Sequence, residues 1–137
     1  MEEEGLLVYR SDRGKIPVGE PRLENSLQAR FYLMVLKFID RDRMLEVQSE
    51  HLTWLLEKEK EGVLFLSGPA TYLDEGEPVL SGLMAIRAKT EEEARAIAEQ
   101  EPFVVKGIME YKLYQWGIFQ GAVAVSINLS DGSGSFC

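Results

Sequence analysis

The chain has 137 residues, a length that suits one domain, and 45% of them are hydrophobic, enough for a sizeable core. Its 23 acidic residues outweigh 15 basic ones and leave a formal charge of −8. That balance argues against nucleic acid and anionic membranes as main partners, because both require a basic patch.

Residues 1–30 read as an extension. Leu6-Leu7-Val8-Tyr9 has the composition of a short strand, but Gly14, Pro17, Gly19 and Pro21 punctuate the stretch after it. From Phe31 to Ile39 the chain runs FYLMVLKFI, with one charge and no alternation, as expected of a strand covered on both faces. Asp40 is placed to cap a helix over about 41–61, which Gly62 ends. Val63 to Ser67 reads as a second strand closed by Gly68-Pro69, and a loop carries Asp74, Glu75, Gly76 and Pro78. Leu80 to Ala88 is a third strand. Thr90 and Glu93 form a T-x-x-E capping box that opens a helix over about 91–101, and Pro102 marks its end. Ile108 to Trp116 is a fourth strand. Gly121 to Leu129 is a further strand, and the tail DGSGSFC reads as loose.

This order is β-α-β-β-α-β, an α+β fold of the ferredoxin-like kind with an antiparallel sheet over 31–118, and an extension over 119–137. Right-handed crossovers put both helices on one sheet face. The other face also carries apolar side chains, as in Leu83-Met84-Ala85-Ile86, and a second copy of the chain would cover it as a homodimer. The terminal extensions are the alternative cover. The single cysteine, Cys137, permits no internal disulfide and no CxxC metal site. The start MEEEG has no following apolar region of a secretory signal, and no apolar run approaches the roughly 20 residues that cross a bilayer. The expectation is a cytoplasmic protein.

On a helical wheel at about 100° per residue, Met44, Leu45, Val47, Leu52, Leu55 and Leu56 fall in one sector. His51, the only histidine, falls inside that sector, with Gln48 one turn before it. In the second helix Ala94, Ile97 and Ala98 make the apolar stripe, and Glu101 continues it. Both helices cover the same sheet face, so His51 and Glu101 are aimed at one layer. A buried carboxylate needs a partner, and a carboxylate nearby favours the charged imidazole while desolvation opposes it. An imidazole so placed is suited to general acid–base work.

The same residues carry a family resemblance. The chain resembles the YCII-like family of small dimeric α+β barrel proteins over about 31–117. The matching features, in order, are His51-Leu52 with Leu55, Gly62, Ser67-Gly68-Pro69, Ser81-Gly82, Glu92-Glu93-Ala94, Glu101-Pro102-Phe103 with Gly107, and Tyr114-Gln115-Trp116. The resemblance implies a ferredoxin-like fold that dimerises through its sheet and a histidine–aspartate pair in a pocket. The histidine maps onto His51 and the aspartate onto Glu101, one methylene longer. One branch of the family resembles dehydrochlorinases of chlorinated hydroxyquinols, and the architecture is similar to that of muconolactone isomerases. Both imply cofactor-free proton transfer on small oxygenated rings.

Other residues qualify as pocket groups. Ser67 and Gly68, at a strand exit, offer a hydroxyl and a backbone N–H, Trp54 and Trp116 offer flat walls, and Tyr72 and Tyr111 offer phenolic hydroxyls. Each has a plain structural alternative as a turn or core residue. No GxGxxG or P-loop spacing supports a nucleotide cofactor, and one histidine with scattered carboxylates makes a poor metal site, so neither a cofactor nor a metal is expected. Three readings stand: an acid–base lyase or isomerase built on His51 and Glu101, a non-catalytic homodimer that binds a small molecule, and a purely structural dimer in which the pair is a buried hydrogen bond.

Overall fold

A computed structural model describes residues 7–11, 14–17, 29–74, 76 and 79–136. In chain order the elements are β1 (Leu7–Ser11), β2 (Gly14–Pro17), β3 (Ala29–Phe38), a 3-10 turn (Arg41–Arg43), α1 (Met44–Lys60), β4 (Leu64–Tyr72), β5 (Val79–Ile86), α2 (Glu91–Ala98), α3 (Pro102–Val105), β6 (Met109–Ile118), β7 (Val125–Ile127) and β8 (Gly134–Phe136). The chain forms two compact units, one of residues 30–116 and one made of both terminal segments.

The larger unit is an antiparallel four-stranded sheet in the order β4-β5-β3-β6, with helices in the crossovers, which is the ferredoxin-like α+β arrangement. β5 pairs with β3 through Met34↔Met84 and Leu36↔Gly82, and with β4 through Ser67↔Met84 and Pro69↔Gly82. Met34, Leu36, Met84 and Ile86 therefore face the helices, where Val47, Ala98 and Phe103 complete the core. Met34 and Ile86 are essentially sealed from water, and each such burial contributes about 1.5–3 kcal/mol.

Several elements differ from the sequence expectation. β4 does not end at Gly68-Pro69 but runs on to Tyr72. It is an edge strand, and proline is tolerated where no partner needs its N–H. A register irregularity between Leu64 and Leu66 keeps Leu64 on the helix face with Ile86 and turns Leu66 to the other face with Ala85. Asp40 makes no side-chain cap; a 3-10 turn intervenes before α1. The apolar sector of α1 is wider than its buried stripe. Val47 is buried, but Leu45, Leu52 and Leu56 are 76%, 53% and 53% exposed. α2 stops at Ala98, short of Glu101, and α3 begins after it.

On the sheet face away from the helices, Phe31 stacks on Phe65 with centroids 4.5 Å apart, and the Arg87 guanidinium lies over both rings. Phe31 and Ala85 are buried on that face, while Leu66 and Leu83 are exposed.

In the terminal unit, β1 and β2 form an antiparallel hairpin, and β7 pairs antiparallel with β8. The strand expected over 121–129 is thus a short one, and the tail expected to be loose supplies its partner. The turn between them is held by polar contacts: Asp131 accepts from the Ser133 N–H and hydroxyl, and Gly132 takes a φ of 75°. Those bonds hold the Asp131 carboxyl below its ordinary range. Much of the expected 1–30 extension lies outside the described residues. Among the described residues, no helix is long and apolar enough to cross a membrane.

Candidate active site

α1 and α3 pack against each other and bring the two ionisable residues together. The His51 ring donates from Nδ1 to Glu101 Oε1. The His51 side chain is 22% exposed, and that of Glu101 is fully buried.

Glu101 arrives by a route other than the helical stripe. Its backbone is extended, with φ −61° and ψ 124°, as the following proline favours. From there it is the N-cap of α3. Oε2 accepts from the Phe103 N–H at 2.8 Å and from the Val104 N–H at 3.3 Å. One oxygen therefore satisfies two helix-start amides and the other holds the imidazole. Two backbone N–H groups and the imidazole thus converge on one buried carboxyl group. α3 has a single turn, so its own contribution to the anion is small beside these direct bonds.

Phe103 completes the arrangement. Its ring stacks on His51 at 4.3 Å between centroids with a 26° interplanar angle. It also tilts against Phe38 at 6.2 Å. The imidazole is thus fixed by a hydrogen bond at its edge and a ring on its face. With Nδ1 protonated and engaged, Nε2 is the nitrogen left to accept a proton.

His51 forms part of the wall of a cavity of about 300 Å³. Most of the wall is apolar, including Leu36, Phe38, Leu55, Met84 and Met109. Ser67 and Gly68 line it from β4, and Gln48 from α1. They do so as strand residues rather than as a turn, since both pair with β5. Glu101 is not in the wall; it stands behind His51.

Trp54 and Tyr111, expected as pocket residues, lie elsewhere. Trp54 is about 60° around α1 from His51, on the side away from Gln48, Leu52 and Leu55. Its ring packs on the core and lies 5.8 Å from Lys58 Nζ. Tyr111 is two residues along β6 from Met109 and donates its hydroxyl to Glu99 Oε2 at 3.0 Å, next to α2. Burial holds that phenol above its ordinary range. Tyr72 and Trp116 are likewise absent from the wall. The contribution of Phe103 was not anticipated from periodicity; its signal was its place directly after Glu101-Pro102. Among the described residues no group of three or more histidine, cysteine or acidic side chains is placed to hold a metal ion.

A buried carboxylate holding one face-stacked imidazole at the wall of an apolar pocket, on a ferredoxin-like sheet, defines a small α+β pocket protein with a histidine–carboxylate dyad. The chain belongs to the YCII-related domain family, whose model matches residues 30–117. No curated protein matches it. Among solved structures, a 5-chloro-2-hydroxyhydroquinone dehydrochlorinase from Burkholderia phenoliruptrix, in complex with 2,5-dihydroxybenzoquinone, is similar at 17% identity and a TM-score of 0.47, covering 61% of this chain and 92% of that one.

Proposed function

We propose that this protein is a cofactor-independent acid–base catalyst that performs an elimination or isomerisation on a small oxygenated ring. The observation that carries this reading is a pocket-lining His51 whose Nδ1 is held by a fully buried, doubly anchored Glu101. His51 is the catalytic residue. Its Nε2 takes a proton from the ring, and the electron pair of the broken bond forms the new double bond. In an elimination a leaving group departs as an anion; in an isomerisation the imidazolium returns the proton at another ring atom. Glu101 is a positioning residue that fixes the tautomer and stabilises the imidazolium.

A cavity of about 300 Å³ is at the low end for ligand sites and suits one substituted ring. The ring class and the two reaction types are those that the family resemblance implies. Ser67 and Gly68 line the pocket and are assigned to substrate binding. The test is turnover of halogenated hydroquinols and of lactones by the wild type and His51→Ala. The variant is expected to lose about 10²–10⁴-fold in rate. Undiminished turnover would remove His51 from the chemistry, and ligand-induced thermal stabilisation without product would mark a binding protein instead.

We also propose that two copies associate through the sheet face away from the helices. Supporting this are the exposure of Leu66 and Leu83 there and the apolar run of β3. Leu83→Glu should convert a dimer to a monomer in light scattering; a wild type that is monomeric at high concentration would contradict the reading.

A further inference from the structure

We infer that the pocket is selective for charge: it takes an uncharged ring bearing hydroxyl or carbonyl oxygens and rejects the same ring carrying a carboxylate or phosphate. The inference rests on the proposed role of this pocket as the substrate site and adds the substrate's charge to it.

Three observations lead there. First, among the described residues the wall contains no lysine, arginine, aspartate or glutamate. Its polar side chains are His51, Gln48, Ser67 and Ser81, and the Ser81 hydroxyl donates to the Ala70 carbonyl at 3.3 Å. A ligand anion entering would lose water and meet no fixed cation. Second, Glu101 places a buried carboxyl group directly behind the imidazole. With Glu101 ionised and His51 neutral, the dyad is net negative and repels an anion across the width of one ring; with His51 protonated, its positive charge is already paired. Third, a cation that does approach a wall side chain, Arg41, has its guanidinium 5.9 Å from the Phe38 ring centre. Arg41 is exposed, so water and salt screen it.

What the wall does offer is hydrogen bonding. Gln48 sits one turn before His51 on the same side of α1 and makes no hydrogen bond to any described residue. Its amide presents both a donor and an acceptor to a neutral ring oxygen. We assign Gln48 the role of holding that oxygen while His51 Nε2 addresses the neighbouring position.

The experiment compares hydroquinone with gentisate, which is hydroquinone plus one carboxylate, by calorimetric titration of the full chain. Wild type is expected to bind hydroquinone at least about tenfold more tightly than gentisate. Ser67→Lys adds a cation at an exposed position in the wall and should narrow or invert that ratio. Gln48→Leu should weaken hydroquinone by about tenfold. Arg41→Ala should leave the ratio unchanged. Equal or tighter binding of gentisate by wild type, a ratio unmoved by Ser67→Lys, or no binding of hydroquinone would each overturn the inference. The catalytic reading fails separately, on the turnover of His51→Ala: a charge-selective pocket without turnover leaves this inference standing, and an active enzyme that prefers gentisate removes it alone.

Discussion

Two helix starts lie eleven residues apart and use their caps differently. At the start of α2, Thr90 is exposed, its hydroxyl accepts from the Glu93 N–H at 3.1 Å, and Glu93 in return accepts from the Lys89 N–H at 2.6 Å. Everything in that cap is spent on the local backbone. At the start of α3, Glu101 is buried and is longer than a cap requires. One oxygen serves the helix and the other is left for His51. The difference is one of reach and burial: a cap becomes part of a site when its side chain has a second acceptor and the fold seals it against a distant imidazole.

Substitutions at the two caps should therefore part company. Glu101→Ala is expected to have the larger effect, because it uncaps α3 and frees His51 at once. Stability should fall by about 1–3 kcal/mol in denaturant unfolding, and turnover should drop toward the level of His51→Ala. An unfolding midpoint equal to wild type would mean that the buried carboxylate contributes nothing net. Glu101→Asp sharpens the point, since aspartate is itself a good N-cap. It should keep most of the stability, while the shorter arm loosens the hold on His51. Activity is then expected to fall more than stability, and equal losses in both would dissolve the distinction between the two oxygens.

Thr90→Ala should show the smallest change. Loss of an exposed cap costs about 1 kcal/mol, or about 4–8 °C in midpoint for a unit of this size. Turnover per folded molecule should be unchanged. A fall in turnover would show that α2 and the site are coupled, and the contrast between the caps would lose its meaning.

The fold was largely legible because its cues are local. The unbroken apolar run from Phe31, the T-x-x-E box at Thr90 and the glycine at Gly62, whose φ is 78°, each act over a few residues. The convergence of His51 and Glu101 was also readable, although for a partly different reason. Periodicity placed Glu101 on a continued helix, whereas the proline after it ends that helix and makes it a cap. The errors came where context outweighs local pattern. Pro69 reads as a strand breaker until its strand is known to be an edge. Trp54 and Tyr111 have suitable chemistry but lie outside the cavity: Trp54 is turned about 60° around α1 from His51 and packs on the core, and Tyr111 reaches Glu99 beside α2.

By itself, the sequence determined the element order, the single histidine on an inward helix face and the acidic partner beside Pro102, because periodicity, caps and proline sterics are written in neighbouring residues. Tertiary structure alone decided that Glu101 stands behind the imidazole rather than in the pocket, that Phe103 stacks on it, and which side chains reach the cavity. Those outcomes depend on how α1 and α3 pack against one another and against the sheet, and distances between segments fifty residues apart are set by packing of the whole unit rather than by any local pattern.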